Sequence, residues 1–390
     1  MSDSFRLRRA LQVVNGHYHW RNIVLVVCGC IASAIIQNNA PVPYVWIWSL
    51  WFLIFLALFL SGARPCKRVV WFNVASLFLA LAVTEAYLTP HWQQSRTRRE
   101  RTRTLSTDHE VLGYAAKKNA SVKAQNYFDE KLVFDVTYTT DEDGFRTWVR
   151  GEEDDDRSEV VVFGGSYTFG AGVNDRETWP ALAELKAGGR SRVHNFAYLG
   201  YGPHQMLAAL AAGLVEKRLD DEPRYGIYLG IGDHIRRAAG MRSWDGHGPR
   251  FVLNADGAVA RQGFFDDDWL RRAQVKLGDS EVLRRFITPT VAADEVALFV
   301  GIMDKAAQTF EQRFPGSEFH VIVWDAHTSR FMTDAIVALR KRGLRVHLIS
   351  TIIPDLVDNP DSYRIHVHDS HPNRRAYDMI GSYVARRIIR

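Results

Sequence analysis

EVVVFGGSYTFGAG, from Glu159 to Gly172, is the stretch on which the reading of the fold turns. Its first half is a β-branched run ending in glycine, which marks a short buried strand. Its second half sets one serine, Ser166, among glycines before a helical pattern resumes at Trp179–Lys186. A serine at such a strand-to-helix turn offers its hydroxyl where unpaired helix N–H groups favour developing negative charge. A phosphate-cradling loop is the competing reading of a glycine-rich turn. No lysine follows Ser166 where such a loop requires one, and the GxGxxG spacing is absent. The nucleophile reading is therefore preferred.

Working outward, strand and helix patterns alternate. Strands are expected at 159–164, 192–197, 225–230, 318–324 and 344–350. Helices are expected at 179–186, 204–219, 293–314, 334–342 and 373–389, with a hairpin in FVLNADGAVARQG (Phe251–Gly263). This alternation predicts an α/β fold, a three-layer α/β/α sandwich around a parallel, flavodoxin-like sheet. Active residues of such sheets collect at the carboxyl ends of the strands. Just before the closing helix lies HDSHPN, His368–Asn373. It supplies what a serine nucleophile needs: His371 as base and Asp369 to hold the imidazole, with Asn373 as the helix-start residue.

Four segments together resemble the sequence blocks of the SGNH, or GDSL-like, hydrolase superfamily. GGSYTFGAGV is similar to the first block, with Gly165 where the commonest form has Asp. NFAYLGYGPHQ (Asn195–Gln205) is similar to the second, YLGIGDH (Tyr228–His234) stands where the third belongs, and DSHPN is similar to the fifth. VFDVTYTTDEDGFR, ahead of the nucleophile, is similar to a lead-in of membrane-anchored bacterial members. The resemblance implies a catalytic Ser166, His371 and Asp369, with Gly200 offering a backbone N–H to the oxyanion and no cofactor or metal. The chain departs from the pattern twice. Gly232 stands where the family places an asparagine donor, so that Asp233, His234 or an inserted-loop residue compensates, or the enzyme is slow, or the site is no longer catalytic. The histidine block reads Asp-x-His rather than Asp-x-x-His.

The remaining composition divides sharply. Residues 1–103 carry twelve Lys/Arg against three acids, a net +9, while the whole chain carries +5. The basic character thus belongs to the first quarter, and a nucleic-acid partner is not implied. That quarter contains Tyr44–Ala63, twenty residues without a charge, a second apolar run at Val69–Leu88, and a weaker one at Asn22–Ala40. About three transmembrane helices are expected within residues 1–92. Four basic residues precede the first run, none lies in the 37–43 loop and three lie at 62–68, a pattern that puts the N-terminus in the cytoplasm. Everything after Leu88 is then extracytoplasmic, although SRTRRERTR (Ser95–Arg103) runs against that assignment. The expected location is a bacterial inner membrane, multi-pass, with the C-terminal domain in the periplasm. The three cysteines, Cys28, Cys30 and Cys66, all fall in this quarter, so the rest has neither a disulfide framework nor a thiolate metal site.

The expected organisation is an anchor at 1–92, a basic juxtamembrane segment and β lead-in linker at 93–158, and a hydrolase domain at 159–390 with an insertion at about 234–292. The expected function is a membrane-anchored serine ester hydrolase or O-acyltransferase acting on an acylated envelope glycan or lipid. The alternative is a catalytically degenerate module that binds glycan or scaffolds an envelope assembly. His204 and Gln205 either line the pocket or open a helix. Asp245, His247 and Asp266–Asp268 lack metal-ligand spacing and read as a solvated loop. Arg236 and Arg237 either meet an anionic substrate or face water. The oligomeric state has no signal in the sequence.

Overall fold

The computed structural model describes residues 44–60, 65–93, 98–102, 105–150, 157–278, 280–283, 291–326 and 329–389. It divides into two compact units, Met1–Ser95 with Leu277–Thr288, and Arg96–Lys276 with Pro289–Arg390.

The larger unit is built on five parallel strands: β1 (Ser158–Gly164), β2 (Ser191–Asn195), β3 (Pro223–Gly230), β4 (Glu318–Val323) and β5 (Arg345–Leu348). Their order across the sheet is β2-β1-β3-β4-β5. All neighbours run parallel, Val162 pairing with Ile227 and Ile322 with Leu229. Alternate side chains of each strand enter opposite cores, as the two-residue period requires. Val161 and Phe163 pack with the helices Pro203–Ala211 and Ala293–Arg313, whereas Val160 and Val162 pack with Trp179–Lys186 and Arg374–Arg387. Strands buried on both faces have no polar side to show, which is why β1 reads as a continuous apolar run. The chain crosses from one side of β1 to the other between β2 and β3, and the crevice at such a switch point is where α/β sheets gather their functional groups. Ser166 sits there, directly after β1.

Three expectations need correction. The segment expected as a linker is folded into the larger unit. Arg98–Thr102, Ser121–Phe128 and Lys131–Thr139 form a three-stranded antiparallel sheet, with Asp129 and Glu130 at positive φ in the hairpin turn. Val122, Ala124, Val136 and Tyr138 alternate into the core, burying area that a solvated linker would leave wet. The helix expected to run from His204 to Leu219 stops at Ala211, followed by Gly213 at φ +68°. The insertion at 234–292 is not one excursion of the larger unit, because Leu277–Thr288 groups with the smaller one.

The smaller unit pairs the helices Tyr44–Leu60 and Pro65–Gln93 through stacked rings, Phe55 lying 5.4 Å from Phe78 and 5.6 Å from Trp71. Arg68–Leu88 is the one described helical segment long and apolar enough to cross a membrane, and Tyr44–Leu60 is shorter. Val69, Phe72, Leu77, Val83 and Tyr87 on the longer helix face outward. Asn22–Ala40, the weakest of the expected spans, lies outside the described residues. Glu85, the lone acid of its span, is buried for a local reason. It accepts hydrogen bonds from the Ser280 hydroxyl (2.7 Å) and from the N–H groups of Glu281 (2.7 Å) and Val282 (3.2 Å), capping the turn that begins there.

Candidate active site

The nucleophile loop owes its shape to glycine. Gly164 lies at φ +151°, where a β-carbon would stand 2.3 Å from the Thr168 hydroxyl, and the short helix Ser166–Phe169 closes on Gly170 at φ +87°. Arg146, from the supposed linker, holds this loop from behind. Its guanidinium is fully buried and donates to the carbonyls of Phe169 (2.6 Å), Gly170 (2.5 Å) and Val173 (2.7 Å) and to Asp175 (3.0 Å). Burial lowers its pKa, and Asp175 opposes that shift. The Tyr138 hydroxyl accepts from Gly172 N–H at 2.8 Å. Five hydrogen bonds to this segment, four donated by Arg146 and one accepted by Tyr138, leave it little freedom.

The structure brings Ser166, His371 and Asp369 together. His371 Nε2 lies 2.9 Å from Ser166 Oγ, and His371 Nδ1 lies 2.6 Å from Asp369 Oδ1. The shortened Asp-x-His spacing works because Asp369–Pro372 is an extended strand, in which residues two apart project from the same face. His371 N–H also donates to Asp369 Oδ1 at 3.1 Å, while Asn126 of the antiparallel sheet reaches Asp369 Oδ2 at 3.4 Å. Asp369 is buried and the His371 side chain is 24% exposed, an orienting acid behind a reachable base. His368 stacks on Phe128 at 4.1 Å instead. Asn373 caps the closing helix by accepting from Ala376 N–H.

A cavity of about 840 Å³ opens over this group and is lined by Ser166, His371, Gly200, Arg237 and Trp244 among others. Its size suits a small organic ligand. Gly200 lies at φ +81°, and a β-carbon there would stand 2.6 Å from Tyr114 Oη and 2.8 Å from Trp244 Nε1. Among the described residues neither the Ser166 N–H nor the Gly200 N–H has an acceptor.

The third block is arranged differently. Gly232 lines a separate cavity of about 450 Å³ beside Tyr167 and Trp324. Asp233 is bound by Arg237 Nε (2.9 Å) and by Arg242, which hold its carboxyl below its ordinary pKa against the opposing effect of burial. His234 is buried, its Nδ1 2.6 Å from the Tyr228 hydroxyl; burial, with Arg237 assisting, pushes its pKa well below 6.5. A neutral, enclosed imidazole reaches no substrate. The acidic stretch read as a solvated loop is also corrected. Asp245 is 1% exposed and accepts from His204 Nε2 (2.7 Å) and Gln205 Nε2 (3.0 Å), because the loop folds back onto the start of helix Pro203–Ala211. Arg146 and Asn126 have no role in the reading from sequence. For Arg146, a lone arginine within an otherwise alternating lead-in was the available signal.

No family profile and no curated protein matches the chain. Solved structures do. A G-D-S-L family lipolytic protein from Desulfitobacterium hafniense matches at 12% identity over 59% of this chain and 99% of its own, with a TM-score of 0.36. The esterase EstA from Pseudoalteromonas sp. matches at 12% identity over 57% of this chain and 92% of its own, with a TM-score of 0.34. A carbohydrate esterase family 2 enzyme from Corynascus thermopiles matches at 14% identity over 68% and 74%, with a TM-score of 0.33. At these scores the overlaps carry no argument of their own. The strand order, with the serine block after β1 and the histidine block before the last helix, stands without them. The fold is a mixed α/β fold on a five-stranded parallel sheet.

Proposed function

We propose that the chain is a membrane-anchored serine ester hydrolase or O-acyltransferase of SGNH type, its larger unit extracytoplasmic and its substrate an acylated envelope glycan or lipid. The observation that carries this reading is the unbroken relay from Ser166 Oγ to His371 to Asp369 at the floor of an open cavity. In the first half-reaction Ser166 Oγ adds to the ester carbonyl and its proton passes to His371 Nε2. Asp369 holds the Nδ1–H tautomer and stabilises the imidazolium. The N–H groups of Ser166 and Gly200 receive the charge that develops on the carbonyl oxygen. Collapse expels the alkoxide, which takes the proton from His371, and leaves an acyl-serine. Water, or a sugar hydroxyl in the transferase case, then repeats the steps in reverse and frees the serine.

Ser166→Ala is expected to abolish hydrolysis of a short p-nitrophenyl ester, and unchanged turnover would end this mechanism. Gly232 favours the second reading, a degenerate binding module. A fluorophosphonate probe separates the two, since an activated serine reacts and an inert one does not. The topology rests on the Lys/Arg distribution of the first quarter and on the apolar segment Arg68–Leu88. A C-terminal alkaline phosphatase fusion is expected to be active; a silent phosphatase beside a bright cytoplasmic-type fluorescent fusion overturns the orientation.

A further inference from the structure

The oxyanion donor that Gly232 lacks has a replacement within reach. A β-carbon at Gly232 would meet nothing within 4 Å, so no neighbouring atom occupies the place of the missing side chain. Asp233 is occupied by two arginines, and the His234 ring is enclosed with Tyr228. Arg237, one helical turn beyond Asp233, is the member of this segment that lines the cavity over Ser166. It is 7% exposed, and two contacts fix its guanidinium plane: Nε donates to Asp233 Oδ2 at 2.9 Å and Nη1 to the Tyr201 carbonyl at 2.7 Å. Among the described residues its Nη2 has no acceptor.

The neighbourhood of Ser166 is cut to fit that guanidinium. A β-carbon on Gly165, the residue before the nucleophile, would stand 2.7 Å from Arg237 Nη1, 2.9 Å from the Tyr201 carbonyl and 3.0 Å from His234 Nε2. An aspartate at 165 and Arg237 in this pose exclude each other. The first-block and third-block departures are therefore one change: the glycine at 165 admits the arginine, and the arginine makes the asparagine at 232 dispensable.

We propose that Arg237 donates from Nη2 to the carbonyl oxygen as negative charge develops on it, alongside the N–H groups of Ser166 and Gly200. The inference rests on the serine mechanism proposed above. No proton leaves the guanidinium. The carbonyl π pair moves to the oxygen as the Ser166 Oγ–carbon bond forms, and it returns when the leaving alkoxide departs. Hydrogen bonds from a charged donor are roughly twice as strong as those from a neutral amide. In the resting state the guanidinium is paired with Asp233, which Arg242 shares.

The test uses the full-length protein in detergent micelles with p-nitrophenyl acetate, a neutral ester that gives an anion-reading arginine nothing to hold. Arg237→Gln is expected to lower kcat by about 10²–10³ with KM little changed. Arg237→Lys keeps the ion pair but has no planar fork, and is expected to lose at least about tenfold in kcat. That second arm decides the question if the glutamine variant fails to give a cooperative thermal transition. Millimolar guanidinium is expected to restore part of the rate to Arg237→Ala, which a merely structural role does not predict. Parental kcat in both the glutamine and lysine variants overturns the inference. Should Ser166→Ala retain turnover, the underlying mechanism falls; should it lose turnover while the Arg237 variants keep theirs, only the role of Arg237 falls.

Discussion

Among the His–Asp pairs of the larger unit, of which His247–Asp266 (2.7 Å) has its imidazole at the surface, His371–Asp369 (2.6 Å) and the enclosed His204–Asp245 (2.7 Å) make the sharpest contrast. Their surroundings differ in every other respect. His371 is partly exposed and turns its second ring nitrogen to Ser166, on the floor of a cavity. His204 and Asp245 have no exposed side-chain surface, and their third partner is the amide of Gln205. The first arrangement can take a proton from a hydroxyl that lines the cavity. The second can only pin the 243–245 turn to the start of a helix. An imidazole–carboxylate contact is thus not itself a catalytic signature; an accessible hydroxyl and an open path to it are what distinguish the two.

The sharpest way to break that comparison is to neutralise each carboxylate in turn. Asp369→Asn is expected to cut kcat by about 10⁴ while the thermal midpoint stays close to the parent, because the asparagine favours the wrong imidazole tautomer without disturbing the packing. Asp245→Asn is expected to do the reverse. It removes the anionic acceptor of two buried donors and costs about 3 kcal/mol of unfolding free energy, read from denaturant curves, with kcat moving far less than in Asp369→Asn. Equal kinetic losses in the two variants would erase the distinction.

The smallest expected effect concerns pH, and it extends the comparison to two buried histidines and one half-buried one. Burial lowers the pKa of His194 and of His234, and that of His347 falls to about 4, with the neighbouring His320 adding to the effect. Each is neutral in the folded protein and binds a proton in the unfolded chain below its ordinary value of about 6.5. Stability contributed by these groups is therefore complete above pH 6.5 and is lost as pH falls from there toward 4. Thermal midpoints measured between pH 8 and pH 4 are expected to be level at first and then to decline through this window. A midpoint that holds or rises from pH 6.5 to 4 contradicts the assignment.

The reading from sequence succeeded where local pattern and chemistry coincide. β-branched runs ending in glycine marked the strands, and the serine and histidine blocks stood at their ends with the right residue types. It failed where a residue's role depends on a partner far along the chain. Arg146 acts on a turn more than twenty residues away, and Asn126 on Asp369 across 243 residues. Nothing periodic around either one announces the contact. The alternating run of the lead-in belongs to an antiparallel sheet with one face toward the core and one toward water, and its pattern alone does not show that the face is covered.

What the sequence by itself determined was the class of fold and the order of the serine and histidine segments along it, since each depends on short-range periodicity or on chemistry few residue types can supply. Only the tertiary structure decided which residues of the Asp233–Ala238 helix line the cavity. Asp233 and Arg237 are four residues apart on one helix, and sequence cannot say which of them meets the cavity. Packing does: the space left by Gly165 beside β1 admits a guanidinium, and the two contacts that clamp it leave Nη2 without an acceptor among the described residues.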